Sequence, residues 1–301
     1  MAPLECPLAD SLIRPQSEPP LLSIVVLTHN RTEELVLTIS CLADQLVDGL
    51  EKKVEIVISD NASDMPTLEA IGALAQRYPT ISYVLNARDE GGFFNLFAAP
   101  WRARGEYTWV FGSDDILLED GVAHVVEVLE REKPAFLTLN KKLANADLSQ
   151  MLWNEANSIP DRRFDTFVDL FCAMGVNQLA FISAQIEATE PARAMETERY
   201  LRTDSRHPHV AAFLEKHHDK PAYYSSATHL VHRAGNSPIL DYHAGNFYDY
   251  AVTLPRLLQQ VADEVGAPAD LFERITGSKR ISDYDPPQVT FVDGIFENIL
   301  R

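Results

Sequence analysis

The sequence predicts an α/β fold with a mostly parallel central sheet and flanking helices. Strand and helix patterns alternate from residue 21 to residue 139, and several strands are near-continuous apolar, β-branched runs. Such alternation is typical of sheets whose parallel strands are joined by helices. Strands buried on both faces also lose the apolar–polar alternation of half-exposed strands. A third observation is that polar clusters follow the strand ends.

The first half of the chain contains the clearest elements. Strands are predicted at 21–28, 54–59, 81–85, 107–111 and 135–139. Helices are predicted between them, near 33–46, 66–78, 95–104 and 119–131. Apolar residues recur at helical spacing in the first helix, Pro66 suits a first helical turn, and Gly105 ends the third helix.

Beyond residue 140 the pattern weakens. We predict helices at 164–174, 209–217 and 255–265, and strands at 178–183 and within 222–233. The last helix is amphipathic. The pair His217-His218 lies at a helix end without a third metal ligand at helical spacing, so we expect a solvated helix end and no metal site there.

Residues 110–116 contain the strongest functional signal. A short apolar run ends in the adjacent carboxylates Asp114 and Asp115, and the apolar pattern then resumes at once. Carboxylate oxygens suit divalent cations such as Mg²⁺ or Mn²⁺, which often bridge to substrate phosphates. The alternative is that an aspartate caps the following helix. Polar clusters at 28–31, 60–63 and 113–115 all follow strands, where parallel sheets bind ligands, and this favours a binding site.

Composition limits the classes of partner. The chain has 301 residues, of which 46% are hydrophobic and 23% charged, as in a globular protein with a sizeable core. The net charge of −18 argues against nucleic-acid binding, which needs clustered Lys and Arg. The three cysteines are far apart, and no signal peptide or membrane span is recognisable. We therefore expect a cytoplasmic protein.

A family resemblance rests on three motifs in order. They are SIVVLTHNR at 23–31, VEIVISDNAS at 54–63 and ARGEYTWVFGSDDIL at 103–117. Together they resemble the nucleotide-sugar-binding half of family 2 glycosyltransferases, in particular the bacterial abequosyltransferase-like branch. The resemblance covers roughly residues 21–145 and weakens to about 237. It implies the GT-A fold, which is Rossmann-like.

The resemblance also implies a division of the chain. Residues 1–20 would be an irregular lead-in and 21–145 the nucleotide-sugar-binding half. Residues 146–240 would form a smaller acceptor-binding half, followed by a C-terminal helical extension at 241–301. The second half is expected to pack onto the first.

The resemblance implies a donor site as well. Asp60 would contact the base or ribose, and Asp114 and Asp115 would hold Mg²⁺ or Mn²⁺, which stabilises a leaving nucleoside diphosphate. The implied donor-binding residues are Thr28, Asn30, Arg31, Asp60, Asn61, Gly91, Asn95, Arg104, Ser113, Asp114 and Arg233. Arg233, Asn236 and His243 are candidates to close over the diphosphate, although Arg233 could equally be a structural ion-pair partner.

The chain departs from the family pattern at two places. The family usually has Pro-Thr-Tyr-Asn in the first loop, where this chain has Leu27-Thr28-His29-Asn30. It also usually has an acid where Gly112 or Ser113 stands. Fewer carboxylates indicate weaker metal affinity and leave open a nucleotide site with little metal dependence.

The catalytic base is the least determined part of the site. Inverting enzymes of the family place a Glu-Asp pair at the head of a helix, and counting back from Arg233 puts His207-Pro208 there. The candidates are therefore Asp204, His207 and His209. A histidine can deprotonate a sugar hydroxyl near neutral pH. The alternative is that both histidines are surface residues at a helix start.

The resemblance therefore implies a metal-dependent glycosyltransferase of hexosyltransferase type. It would move a sugar from a nucleotide-sugar donor to a hydroxyl of a glycan acceptor, which could be lipid-linked, in bacterial surface polysaccharide (O-antigen) synthesis. A degenerate, non-catalytic GT-A domain that binds glycans or acts as a scaffold is the alternative. A sugar-1-phosphate nucleotidyltransferase normally has a Gly-rich, basic loop after the first strand to hold a triphosphate. That class is disfavoured because residues 28–31 contain no glycine. Any membrane contact is expected to be peripheral, at the inner face of the plasma membrane.

Overall fold

The computed structural model describes residues 8–15, 18–233, 248–268 and 270–276. Their strands form one eleven-stranded sheet. In chain order the strands are β1 Leu8–Leu12, β2 Leu22–Thr28, β3 Val54–Asp60, β4 Ile81–Asn86, β5 Tyr107–Gly112, β6 Ile116–Leu117, β7 Phe136–Ala144, β8 Met151–Trp153, β9 Arg162–Phe164, β10 Gln185–Ala188 and β11 Ala222–Arg233.

The helices lie between and after these strands. They are α1 Thr32–Ala43, α2 Leu50–Lys53, α3 Met65–Arg77, α4 Gly92–Arg102, α5 Gly121–Glu132, α6 Phe167–Ala180, α7 Thr189–Ala194, α8 Glu198–Leu201, α9 Pro208–His217, α10 Leu254–Glu264 and α11 Leu271–Thr276. A 3₁₀ turn covers Ile182–Ala184, and a π-helical turn, Asp249–Thr253, precedes α10. Acidic residues in the first turn favour α1, and Pro66 occupies the first turn of α3.

The sheet has the order β1-β4-β3-β2-β5-β10-β7-β11-β6, with β8 beside β7 and β9 beside β11. Neighbouring strands among β4, β3, β2 and β5 run parallel, as do β7 and β11. The other pairings of described strands are antiparallel. The predicted α/β fold is confirmed, and its parallel part is concentrated in the first half of a mixed sheet.

Two local predictions are wrong. Residues 178–183 form the end of α6 and the start of the 3₁₀ turn, and the strand follows as β10. The error arises because a short apolar run does not distinguish a buried helix from a strand. The lead-in at 1–20 contains a regular element, since β1 pairs antiparallel with β4. This pairing covers a sheet edge that would otherwise offer unpaired backbone groups.

Two large apolar clusters hold the chain together. One packs β2, β3 and β5 against α1, α3 and α5, with Trp109 and Phe111 fully buried in it. The other surrounds Phe136 of β7. The centroid of its ring lies 4.8 Å from that of the Phe167 ring and 4.9 Å from that of the Phe213 ring. The amphipathic helix predicted at 255–265 is observed as α10, and its apolar side joins the second cluster. The second half therefore packs onto the sheet.

Among the described residues, no helix combines the length and the apolar character needed to span a bilayer. The expected domain boundaries stay predictions, and Asn236 and His243 lie outside the described residues.

Candidate functional site

The site lies where three neighbouring parallel strands end. In the register of the sheet, Thr28 at the end of β2 pairs with Asp60 at the end of β3, and Leu27 pairs with Gly112 at the end of β5. The following loops continue this contact, because the backbone N–H of Asn61 donates to the Thr28 carbonyl at 3.0 Å. Parallel strands place their carboxyl ends at one edge. The structure thus brings the three predicted polar clusters together.

Asp60 shapes the loop that follows β3. It is fully buried, and its carboxylate accepts hydrogen bonds from the Ser63 backbone N–H, at 2.9 Å, and from the Ser63 hydroxyl. The Ser63 oxygen accepts in turn from the Asn30 backbone N–H at 2.8 Å, and Asn30 Oδ1 accepts from the Asp64 N–H at 2.8 Å. Each Asp60 oxygen thus accepts one hydrogen bond from within the loop. Its contact with a base or ribose stays a prediction.

Asn61 joins the loops after β3 and β4. Its side-chain oxygen accepts from Asn86 Nδ2 at 3.0 Å and from the Glu90 N–H at 3.2 Å, and its amide nitrogen donates to Asp89. Asp89 also accepts from the N–H of Gly91, at 2.8 Å. Gly91 is exposed and has a φ of 86°, which a glycine adopts without strain. These bonds fix the loop in front of α4.

Asn95 lies beneath the site in a buried polar group. Its Nδ2 donates to the Ser59 carbonyl at 2.8 Å, and its Oδ1 accepts from the Ser59 hydroxyl at 2.6 Å. Arg102 donates to Ser59 and Asn95, and to Asn86 Oδ1 at 2.7 Å. Sequence analysis missed Arg102, although it lies two helical turns after Asn95 on the same face of α4.

The prediction that Arg104 contacts the donor is wrong. Arg104 precedes β5 and lies at the amino ends of the strands, opposite the site. Its Nε donates to Glu55 Oε2 at 2.7 Å, and its backbone N–H donates to Ser23 Oγ at 3.0 Å. Glu55 is fully buried and Ser23 is the second residue of β2. Arg104 therefore stabilises the sheet through an ion pair with Glu55.

The two candidate metal ligands face one small space. A Cβ atom placed on Gly112 would lie 2.9 Å from Asp114 Oδ1 and 3.1 Å from Asp115 Oδ2. Thr38 holds their loop, because its hydroxyl lies 2.8 Å from the carbonyl oxygens of Ser113 and Asp115. The lack of a side chain at Gly112 thus leaves room for both carboxylates to converge.

The two carboxylates have different partners. Asp114 is half-buried and forms an ion pair with Arg31. Asp115 is buried, and it accepts from the Ser183 hydroxyl and from the Arg233 backbone N–H at 3.3 Å. Burial and the neighbouring charge of Asp114 raise the pKa of Asp115 to about 7, against the lowering effect of these hydrogen bonds. A cation at this position would stabilise the charged form of Asp115.

A second cationic side chain near the carboxylates is that of Lys141 on β7. Its ammonium lies 4.4 Å from the centroid of the Phe181 ring, and burial lowers its pKa to about 8 although Asp115 opposes the shift. The His232 ring lies 4.4 Å from the same phenylalanine. Burial, and then Lys141, lowers the pKa of His232 to about 4. Sequence analysis missed Lys141 and His232. They lie on β7 and β11, which pair in the sheet but do not adjoin the predicted polar clusters in the sequence.

The residues present fit a divalent cation to a limited extent. Within the described ranges, no group of three or more His, Cys, Asp or Glu side chains could hold a metal ion. Two converging carboxylates are nevertheless sufficient for Mg²⁺ when substrate phosphates and water supply the other ligands. Asp114 and Asp115 would hold such an ion, and this role stays a prediction.

Arg233 reaches the site through its backbone. Besides its N–H bond to Asp115, its Nε donates to the Ala146 carbonyl, and its Nη1 is buried without a hydrogen-bond partner among the described residues. Thr28 Oγ1 is likewise buried without such a partner at the end of β2. Both groups are therefore polar atoms that a bound ligand could engage.

The three base candidates differ sharply in surroundings. Asp204 is exposed. His207 immediately precedes α9, and its Nδ1 lies 2.7 Å from Asp249 Oδ2. The His207 ring also stacks on Tyr250, with centroids 4.7 Å apart. His207 thus lies at the head of a helix, as expected for the base position of the family, but a carboxylate from the C-terminal part of the chain holds it.

His209 is a buried, neutral side chain. Its Nε2 lies 3.0 Å from the Ala180 carbonyl, so it donates that proton. Burial, and then the proximity of His207, lowers the pKa of His209 to about 3. Ala180 begins the segment 180–183, whose other end, Ser183, binds Asp115. Three Cα–Cα steps span at most about 11 Å, so this short segment connects α9 to the loop that carries the carboxylate pair.

Acid is expected to destabilise the protein through His209. Its pKa is about 3 in the folded chain against an ordinary 6.5, so between these values only the unfolded chain binds a proton. Stability is therefore complete above about pH 6.5 and falls by about 1.4 kcal/mol per pH unit toward pH 3. His209→Gln keeps a donor for Ala180 but does not titrate. Urea unfolding at pH 7.5, 6 and 5 should show that the free energy of unfolding decreases less with acid in this variant than in the wild type. An equal decrease would show that His209 is not the source of the acid sensitivity.

Comparison with known families decides the assignment of the chain. The model of glycosyl transferase family 2 matches residues 23–183, more than half of the sequence. The chain belongs to glycosyl transferase family 2. The matched range begins in β2 and ends in the 3₁₀ turn that holds Asp115. It therefore includes the whole parallel part of the first half and the carboxylate pair.

A curated member with a similar sequence is the abequosyltransferase RfbV of Salmonella typhimurium strain LT2. It is 33% identical to this family 2 chain over 132 residues, 44% of the chain and 39% of the relative. The match thus spans well under two thirds of the relative's length. The predicted resemblance to the abequosyltransferase-like branch is confirmed.

Two solved structures share the fold of this chain. S. aureus TarS in complex with UDP-GlcNAc has a TM-score of 0.53 at 12% identity, over 92% of this chain and 78% of that one. The mannosyltransferase PcManGT from Pyrobaculum calidifontis, in complex with GDP-Man and Mn²⁺, has a TM-score of 0.55 at 17% identity, over 90% and 72% of the two chains. The predicted GT-A fold is confirmed.

Proposed function

We propose that the chain transfers a sugar from a nucleotide-sugar donor to a hydroxyl group of a glycan acceptor. The observation that carries the proposal is the convergence of Asp114 and Asp115 at the carboxyl edge of the parallel strands, with Arg31 and Lys141 beside them. Relatives of the same fold bind UDP-GlcNAc and GDP-Man. The similarity to an abequosyltransferase favours bacterial surface polysaccharide synthesis, with a lipid-linked glycan as one possible acceptor.

The donor diphosphate would lie against this cluster. Asp114 and Asp115 would hold Mg²⁺ or Mn²⁺, and a bound cation would stabilise the charge that develops on the leaving diphosphate. Lys141 would supply a further positive charge, and Nη1 of Arg233, which has no partner among the described residues, would supply a donor. Because the chain provides its own cations here, we expect a metal ion to strengthen donor binding. We also expect part of the donor binding to remain without the metal ion.

His207 is our candidate for the general base. Its Nδ1 is engaged by Asp249, which leaves Nε2 to take the proton of the acceptor hydroxyl. The hydroxyl oxygen would then form its bond to the anomeric carbon as the bond to the diphosphate breaks, with inversion. Asp204 is exposed and has no described partner that orients it as Asp249 orients His207. Burial lowers the pKa of His209 to about 3, which makes it a poor proton acceptor.

A non-catalytic, glycan-binding role is the second candidate. It is favoured by one observation, the Arg31–Asp114 ion pair, which already compensates the more exposed of the two carboxylates. Under this proposal a nucleotide or glycan binds without turnover. We propose a cytoplasmic location for either function, with any membrane contact peripheral.

Nucleotide binding tests the proposed donor site. A thermal-shift screen with UDP, GDP, CDP and dTDP, each with Mn²⁺, Mg²⁺ or EDTA, is expected to identify one diphosphate that stabilises the wild type. A ligand at a hundred times its Kd adds about 2.7 kcal/mol. Asp114→Ala should lose the metal-dependent part of the shift, whereas Asp64→Ala, an exposed acid near the same edge, should keep it. No stabilisation by any nucleotide would refute the donor site.

A further inference from the structure

His207 and Asp249 form a buried pair that joins distant parts of the chain. They are 42 residues apart, and their side chains meet at 2.7 Å between Nδ1 and Oδ2. The exposed fraction is 11% for the His207 side chain and 2% for that of Asp249. A hydrogen bond so well shielded from water has one stable arrangement. The contact therefore fixes the orientation of the imidazole ring at the head of α9.

Asp249 is itself held as an anion. It accepts from the Thr253 hydroxyl as well as from His207. Burial favours its neutral form, but hydrogen bonds from His207, Thr253 and Ser205 outweigh this and lower the pKa of Asp249. Asp249 also begins the π-helical turn Asp249–Thr253. Single π turns occur frequently at functional sites.

An anionic Asp249 determines which nitrogen of His207 has the proton. The carboxylate can only accept, so Nδ1 donates, and in a neutral ring the lone pair is then on Nε2. Nε2 lies 3.4 Å from the Tyr250 hydroxyl, a long hydrogen bond that an acceptor hydroxyl would replace. This is the arrangement in which a neutral histidine accepts a proton from a hydroxyl group.

The other described groups around His207 do not compete for this proton. Tyr250 stacks on one face of the ring, and neutral His209 lies 5.9 Å away between ring centroids. The Ser205 hydroxyl accepts from the His207 backbone N–H at 3.1 Å. Asp204 and Arg206, in the loop before α9, are exposed. Asp249 is therefore the charged group in contact with the ring among the described residues.

We propose that Asp249 is a positioning residue for sugar transfer, which holds His207 with Nε2 directed to receive the proton of the acceptor hydroxyl. This inference rests on the proposed function and deepens it. It extends the site beyond the family-matched range, because Asp249 lies at the start of the C-terminal helical region. It also gives that region a catalytic purpose besides packing α10 against α9.

Asp249→Asn tests this role with little change in shape. The amide would donate to Nδ1, which moves the imidazole proton to Nε2 and removes the acceptor. Asp249→Glu restores a carboxylate. Asp263→Asn is the matched control, because it removes an exposed acid from the same C-terminal region. Each variant would be compared with the wild type at equal folded fraction, measured by circular dichroism.

Two measurements distinguish a positioning role of Asp249 from a purely structural role. Nitrogen NMR of the histidine rings, with the His207 signal assigned by its loss in His207→Gln, should show an Nδ1–H tautomer that changes in Asp249→Asn only. Release of nucleoside diphosphate from UDP-, GDP-, CDP- and dTDP-linked sugars, with water as acceptor, should show kcat lowered at least roughly tenfold in Asp249→Asn. The donor KM should stay unchanged, and Asp249→Glu should recover part of the rate.

The outcomes distinguish this inference from the proposed function. An unchanged tautomer, or an unchanged kcat in Asp249→Asn with normal nucleotide binding, would overturn the role of Asp249 alone. A wild type that neither binds a nucleoside diphosphate nor releases one would overturn the proposed function, and this role with it.

Discussion

Alanine at position 207 is expected to reduce turnover by roughly 10²- to 10⁴-fold, the range that general-base catalysis contributes. The reason is geometric. His207 stands at the head of α9 with Nδ1 bound to Asp249, so only its Nε2 is placed to accept a proton. The measurement is steady-state release of nucleoside diphosphate, with nucleotide binding followed separately by thermal shift. Binding should be unchanged, because the carboxylate cluster does not include His207.

Neighbouring residues provide the controls for this result. Asp204→Ala removes the exposed acid three positions earlier, and His209→Gln removes the neighbouring ring while keeping a donor for Ala180. Neither should lower turnover by more than a fewfold. Added imidazole should restore part of the rate of His207→Ala, since it can occupy the space left by the side chain. Full activity in His207→Ala with a large loss in Asp204→Ala would transfer the base role to Asp204.

The first half of the fold was predictable because its signals are local. Residues 22–28 and 54–60 form buried strands, and such strands need continuous apolar residues wherever they lie in a parallel sheet. The Asp114-Asp115 pair was likewise recognisable, since the loop after a buried strand has a known location at the carboxyl edge. Strand, loop and carboxylate adjoin in sequence, so no long-range contact was needed.

The rest of the site depends on contacts between distant residues. Arg102 and Arg104 are both basic residues near the end of α4, yet only Arg102 turns toward the site, because Glu55 pairs with Arg104 at the opposite edge. His207 was a candidate by spacing, but its partner Asp249 belongs to another element. Pairing across the sheet likewise brings Lys141 of β7 to Asp115. Tertiary pairing of this kind leaves no periodic trace in the sequence.

His217 shows the same limit, and the prediction that it lies at a solvated helix end is wrong. The ring is fully buried, with Nε2 at 2.9 Å from Glu187 Oε2, and Lys216 Nζ lies 2.5 Å from the same oxygen. The side chains of Lys216 and Glu187 are only 5% and 8% exposed. Burial favours neutral Glu187, but Lys216 and His217 outweigh this and lower its pKa. The three side chains thus form a charged cluster inside the second half.

Glu187→Gln is expected to destabilise the protein by about 3–5 kcal/mol, the usual result of leaving one partner of a buried ion pair uncompensated. The contribution of burial can be isolated with Glu130→Gln, because the Lys53–Glu130 pair has a similar 2.6 Å contact but both side chains are 48% exposed. An exposed pair contributes at most about 1 kcal/mol. Urea unfolding gives both values without adding salt that would screen the exposed pair.

The double variant Glu187→Gln, Lys216→Met makes the argument specific to charge. Removing the ammonium together with its partner eliminates the uncompensated charge, so the double variant should be more stable than Glu187→Gln alone, although it has lost more native contacts. If the losses in unfolding free energy of the two single variants simply add in the double variant, the loss in Glu187→Gln comes from altered packing and not from an uncompensated charge. Equal costs for Glu187→Gln and Glu130→Gln would show that the interior around Lys216 is hydrated enough to screen it.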